Sequence, residues 1–232
     1  MTTRMLVSVR SVAEALLAAA GGADFIDLKE PRDGALGGLP LATISTVVSA
    51  LRERGIALPI SATIGDMRMD DLPAIMAQVN AVAACGVDYV KVGIERAAGA
   101  PAVIDALAAS RHQIVPVFIA DDGLGANHVA QACAAGFPGV MVDTAAKLAG
   151  SVFDVMSIDA LQAFIATVRA AGALVGLAGA LRVNDVPQVL RLAPDFAGFR
   201  SAVCAGSRSG ELDPLRLRTL ADAMHAGDRL AA

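Results

Sequence analysis

The sequence predicts a single (β/α)8 barrel. Three observations predict it: eight apolar runs of strand length, eight helical segments alternating with them, and a glycine directly after several of those helices. Strictly alternating units imply a parallel sheet, and eight of them are enough to close it into a cylinder. A length of 232 residues suits one such domain, spanning 1–232 without a low-complexity linker.

The elements follow in order. Residues 5–9 read as the first strand and 12–20 as its helix. Residues 25–29 form the second strand, and 41–54 a helix stopped by Gly55. Residues 59–65 are the third, followed by a helix over 72–85 with Gly86 after it. Residues 89–94 are the fourth, with a helix at 102–110; 114–120 are the fifth, with a helix at 127–135 and Gly136 beyond. Residues 140–144 are the sixth, with a helix at 158–171 and then Gly172. Residues 174–178 and 196–203 complete the strands, with helices at 183–192 and 214–225. A glycine just past a helix fits the left-handed position that ends it. Short Val- and Ile-rich runs without strict alternation suit strands buried on both faces. Gly22-Ala-Asp-Phe, Gly86-Val-Asp-Tyr and Gly136-Phe-Pro-Gly each lead into an even-numbered strand, a weak internal echo. An open doubly wound sheet would carry a glycine fingerprint after its first strand, and Ser8-Val9-Arg10-Ser11 is not one. The longest irregular stretches, 30–40 and 206–213, both follow strands and so belong to the catalytic face of a barrel.

Composition narrows the function classes. At 55% hydrophobic and 18% charged, the chain can bury a large core. The net charge of −4 and singly scattered arginines argue against nucleic acid, whose backbone requires a clustered basic face. The absence of Trp and a single Tyr leave no platform for stacking bases. No apolar run reaches the roughly 18 residues that a membrane span needs, and residues 1–10 lack the pattern of a signal peptide. Cys85, Cys133 and Cys204 are odd in number without CxxC spacing, as for reduced thiols in a cytoplasmic protein. Ala-rich helix faces are compatible with a homo-oligomer.

Sixteen of the 19 basic residues are Arg, and only Lys29, Lys91 and Lys147 are Lys. Lys can lose its proton and act as nucleophile or base, which Arg cannot. Lys29 ends strand 2, Lys91 lies in the latter half of strand 4, and Lys147 falls just past strand 6. All three map to the C-terminal mouth, where barrels carry their functional groups. Asp27 shares a strand face with Lys29 by the two-residue period, and Asp143 closes strand 6. The expectation is three amines and two carboxylates around one cavity. Crowded amines lower one another's pKa, a neutral Lys forms a Schiff base with a carbonyl, and Asp27 or Asp143 could move protons. The plainer reading is two structural ion pairs, Asp27–Lys29 and Asp143–Lys147.

A phosphate site is expected from the loops after strands 7 and 8, with Gly179, Ser201, Gly206 and Ser207 offering backbone amides and Arg200 or Arg208 adding charge. His112, His128 and His225 are isolated and lack metal-ligand spacing. Asp121-Asp122-Gly123 reads as a turn before it reads as a cation site. Ser61-Ala-Thr-Ile-Gly-Asp66 ends strand 3 at the mouth, lining the pocket or capping the loop.

At Asp27-Leu-Lys29-Glu-Pro31, Ser61-Ala-Thr-Ile-Gly-Asp66, Tyr89-Val-Lys91-Val-Gly93 and Val142-Asp143-Thr144-Ala-Ala-Lys147, the chain resembles the (5-formylfuran-3-yl)methyl phosphate synthase family, also called 4-(hydroxymethyl)-2-furancarboxaldehyde-phosphate synthase. Phe153-Asp-Val-Met-Ser157, Leu177-Ala-Gly179 and Gly198-Phe-Arg200 extend the resemblance over essentially the whole chain. It implies a TIM barrel and a lyase that condenses two glyceraldehyde 3-phosphate molecules with loss of one phosphate and two waters. It implies no metal or organic cofactor and a role in methanofuran biosynthesis. The family's Schiff-base lysine falls on Lys29, its second strand lysine on Lys91, and its aspartate–lysine pair on Asp143 and Lys147. The chain departs from the family's glycine-alanine stretch at Ser201-Ala-Val203. Its Ala- and Arg-rich composition points to the methylotroph branch. Two alternatives remain: another Schiff-base, class I aldolase-type barrel acting on a small sugar phosphate, and a non-catalytic metabolite-binding or scaffold barrel.

Overall fold

A computed structural model describes residues 2–146 and 150–226. The strands are β1 (Arg4–Val9), β2 (Phe25–Leu28), β3 (Ile60–Thr63), β4 (Tyr89–Ile94), β5 (Ile114–Ile119), β6 (Gly139–Asp143), β7 (Leu174–Leu177) and β8 (Phe196–Phe199). They pair in parallel in chain order, and β1 with β8 closes the barrel. The helices outside it are α1 (Val12–Ala20), α2 (Leu41–Arg52), α3 (Leu72–Ala83), α4 (Ala100–Ala108), α5 (Ala126–Ala134), α6 (Val152–Val155), α7 (Ile158–Ala170), α8 (Val186–Leu192) and α9 (Pro214–Met224). Among the described residues no helix is long and apolar enough to cross a membrane.

Strand alternation divides the core in two. Side chains pointing outward, such as Met5, Ile26, Ile60, Val92 and Val140, pack against the helices. Those pointing inward, Leu6, Phe25, Val115, Val117, Met141 and Phe196 among them, fill the barrel itself. The inward set is apolar toward the N-terminal end and becomes polar at Ser8, Asp27, Lys29, Lys91 and Asp143. The mouth therefore exists because the same two-residue period that builds the core carries charged residues in its last turns.

Several elements differ from the sequence expectation, three of them near the mouth. The last strand stops at Phe199 instead of 203, because Arg200 leaves the strand (φ −134°, ψ −62°) and residues 201–203 form a short 3₁₀ turn. Val203, which reads as strand, is buried by loop packing instead. Strand 2 ends at Leu28, although the Lys29 amide still bonds the Val9 carbonyl at 3.0 Å. The extra helix α6 precedes α7; Ser151 and Asp154 cap it reciprocally.

The 30–40 loop folds over the mouth. The Asp66 carboxylate accepts the Ala35 and Leu36 amides at 2.9 and 3.0 Å, and the Thr63 hydroxyl donates to the Gly37 carbonyl at 2.9 Å. Leu36, 1% exposed, lies over Gly93, where a Cβ would come within 2.8 Å of its Cδ1. This loop packs over the ends of β3 and β4.

Candidate active site

The pocket at the mouth is lined by Ser8, Asp27, Lys29, Lys91, Asp143, Gly179, Arg200, Ser201 and Arg208, with apolar walls from Leu6, Met141, Ala178 and Phe199. Strand register explains the grouping. Asp27 on β2 is level with Ser8 on β1 and with Ser61 on β3. Lys91 sits one inward position further along β4, level with Thr63.

Asp27 is 1% exposed and fully engaged. It accepts from the Ser8 hydroxyl at 2.9 Å, the Ser61 hydroxyl at 2.7 Å and Lys91 Nζ at 3.0 Å. Burial pushes its pKa up, but the charges of Lys91 and Lys29 and the Ser61 hydrogen bond outweigh it, so the carboxyl is held below its ordinary range. Lys29, on the same strand face, reaches across the barrel to Asp143 Oδ2 at 3.3 Å. The Asp143 Oδ1 accepts the Thr144 amide at 2.8 Å. Ions and counter-ions are thus interleaved: Asp27 bonds Lys91, not Lys29.

Lys147 lies outside the described residues. The backbone leading to it is fixed by Asp121, whose carboxylate accepts the Ala145 and Ala146 amides at 2.5 and 2.8 Å. Asp121 is therefore a loop clamp, and Gly123 (φ +78°) completes the expected turn. Gly179 lines the pocket with φ +112°, and a Cβ there would approach Thr144 and Val152 at 3.0 Å. Ser201 lines it too, while Gly206 and Ser207 lie further out on the same loop, Ser207 bonded to Ser209 at 2.9 Å. Arg200 is at the pocket, but its five donors all have protein partners: Arg208 O through Nε, Ser8 O and Glu14 through Nη1, and Glu14 and Gly210 O through Nη2. His112 bonds Asn80 and His225 bonds Asp24, away from the pocket. Among the described residues no group of three His, Cys, Asp or Glu is placed to hold a metal ion.

Sequence reasoning missed Ser8 and Glu14. Ser8 carries a signal only once β1 is put in register with Asp27. Glu14 was legible merely as an acid in an apolar helix, yet it is 6% exposed and paired with Arg200 at 2.6 Å.

Fold and site together define a (β/α)8 barrel whose mouth interleaves lysines with aspartates. Solved structures agree on the fold. Phosphoribosyl anthranilate isomerase from Thermus thermophilus is 15% identical with a TM-score of 0.65, covering 97% of this chain and 99% of that one. 3-Hexulose-6-phosphate synthase from Salmonella typhimurium is 18% identical with a TM-score of 0.61, covering 97% and 99%. The sequence is more specific. A family model described as 4-HFC-P synthase matches residues 5–221, and the chain belongs to that family. A Methylorubrum extorquens protein provisionally named a (5-formylfuran-3-yl)methyl phosphate synthase is 39% identical over 230 residues, covering 99% of this chain and 94% of the relative. The Archaeoglobus fulgidus (5-formylfuran-3-yl)methyl phosphate synthase is 34% identical over 238 residues, covering 96% and 99%.

Proposed function

We propose that this enzyme condenses two molecules of glyceraldehyde 3-phosphate to (5-formylfuran-3-yl)methyl phosphate through an imine on Lys29, for methanofuran or a methanofuran analogue. The observation that carries the reading is Lys29 Nζ, 8% exposed as a residue, within 3.3 Å of the Asp143 carboxylate at the barrel mouth. The atoms balance: two C3 phosphates give the C6 furan aldehyde phosphate, one phosphate and two waters. Lys29 attacks one carbonyl carbon and water leaves as the imine forms. Loss of a carbon-bound proton then gives an enamine able to attack the second aldehyde.

The two carboxylates divide the labour. Asp27 is held ionised by three donors and is a poor base, so it orients Lys91. Asp143 touches the Lys29 amine and exchanges protons with it. Lys91 faces the same pocket and stabilises anionic oxygen, and Lys147 assists proton transfer from the β6 loop. This reading places the enzyme among carbon–oxygen lyases acting on phosphates.

The test is incubation of the purified protein with glyceraldehyde 3-phosphate alone, followed by mass spectrometry and phosphate assay. A furan aldehyde phosphate and free phosphate in equal amount are expected, and borohydride should attach the substrate to Lys29. Lys29→Arg with full activity would rule out the imine. A reversible aldol product without released phosphate would move the chain to aldolase chemistry.

A further inference from the structure

The pocket's charges pair off with one exception. Among the described lining residues, Lys29 has Asp143, Lys91 has Asp27, and Arg200 has Glu14. Arg208 has no carboxylate at ion-pair distance. Arg208 lines the pocket, and its guanidinium donates to the Gly34 carbonyl at 3.1 Å, while its other donors have no partner among the described residues.

Arg208 is nonetheless held in place. Arg200 grips the main chain of its loop, through the carbonyls of Arg208 at 2.9 Å and Gly210 at 2.6 Å, and ties it to β1 through the Ser8 carbonyl at 3.0 Å. Glu14 from the first turn of α1 fixes Arg200 with two charge-assisted bonds at 2.6 and 3.1 Å. The loop closes at its base through the Ala205 amide and the Glu211 carbonyl at 2.9 Å. Gly179 and Ala180 line the same pocket, and the missing and short side chains there leave room for a bulky anion.

We propose that Arg208 selects phosphorylated carbonyl compounds by binding the phosphate dianion, and that Glu14 and Arg200 form the strut presenting it. Arg200 is not the anion-binding group, because taking a ligand would cost it an internal bond. The proposal rests on the reading of the site as one for triose phosphates and deepens it. The electrostatics favour such a cation. Asp143, Asp66 and Glu30 are close enough to act on Arg208, and without a matching guanidinium they would repel a dianion. Arg meets phosphate with two parallel donors, which Lys cannot reproduce.

The experiment compares wild type, Arg208→Ala, Arg208→Lys and Glu14→Gln. Each is given glyceraldehyde 3-phosphate or unphosphorylated glyceraldehyde, and borohydride trapping on Lys29 is followed with and without inorganic phosphate. In Arg208→Ala, trapping efficiency with the phosphorylated substrate should fall about 100-fold, as for a lost charged contact, while trapping of glyceraldehyde should fall much less. Phosphate should protect wild type from trapping and not protect Arg208→Ala. Arg208→Lys should recover part of the efficiency. Glu14→Gln should raise KM for the phosphorylated substrate and leave glyceraldehyde trapping unchanged. Equal losses on both substrates, or phosphate protection that survives in Arg208→Ala, would overturn the proposal. If wild type formed no imine with either aldehyde, the triose-phosphate reading would fall. Calorimetric phosphate binding to wild type and Arg208→Ala would still decide Arg208: tighter binding by wild type supports it, equal binding refutes it.

Discussion

Replacing Asp27 by Asn alters one atom and deletes one charge, which isolates the electrostatic part of the site. The amide retains Oδ1, which accepts from Lys91 Nζ at 3.0 Å and from the Ser61 hydroxyl at 2.7 Å. Its new NH2 faces the Ser8 hydroxyl, which at 2.9 Å can rotate and accept. Shape and hydrogen-bond count survive, but Lys91, 3% exposed, loses its counter-ion. Removing one partner of a buried pair costs about 3–5 kcal/mol. At about 2–4 °C per kcal/mol for a chain of this length, Tm should drop by about 6–20 °C. Urea and thermal unfolding at pH 7 and fixed ionic strength measure it. Asp27→Asn with Lys91→Met removes both charges and should recover half of the loss or more, since the uncompensated ammonium is gone. A single variant within about 1 kcal/mol of wild type, or a double variant whose loss equals the sum of the two singles, would refute the argument.

Two further predictions concern stability. Burial pushes the Asp27 and Glu14 carboxyls up, but Lys91, Lys29 and Ser61 at the first, and Arg200 and Arg10 at the second, hold both below the ordinary range. A depressed folded pKa gives stability that is complete above the unfolded value of about 4 and is lost as pH falls from there through the folded value. Unfolding free energy should therefore decline below about pH 4, and Glu14→Gln should make that decline shallower; an unchanged slope in a urea series from acid to neutral pH would contradict it. The Thr144 hydroxyl is buried without a hydrogen-bond partner among the described residues. Thr144→Val replaces it with a methyl of the same shape and should stabilise the fold by about 1 kcal/mol, a gain that urea midpoints would show and whose reversal would mean that the hydroxyl has a partner.

Much of the site was legible because it depends on local rules. Eight strand–helix units follow from run length and periodicity. Strand direction places Lys29, Lys91, Asp27 and Asp143 at the mouth. The pairing of charges was not legible. Asp27 and Lys29, two residues apart, read as an ion pair, but side chains two apart on a strand are separated by roughly 6.6 Å along it. Across the barrel interior the amines come closer: Lys91 reaches Asp27 at 3.0 Å, and Lys29 reaches Asp143 at 3.3 Å across a sequence separation of 114. The partners of Arg200 were not legible for a related reason. Its place after strand 8 suggested a phosphate ligand, and nothing local revealed that Glu14 and three carbonyls would occupy it.

The sequence by itself determined the barrel, the mouth and the family, because strand period, helix ends and motif spacing are read along the chain. Only the tertiary structure decided which carboxylate holds which amine, and which pocket arginine is paired with a carboxylate. Those choices depend on distances between side chains brought together by barrel closure, and they exist only once β8 has met β1.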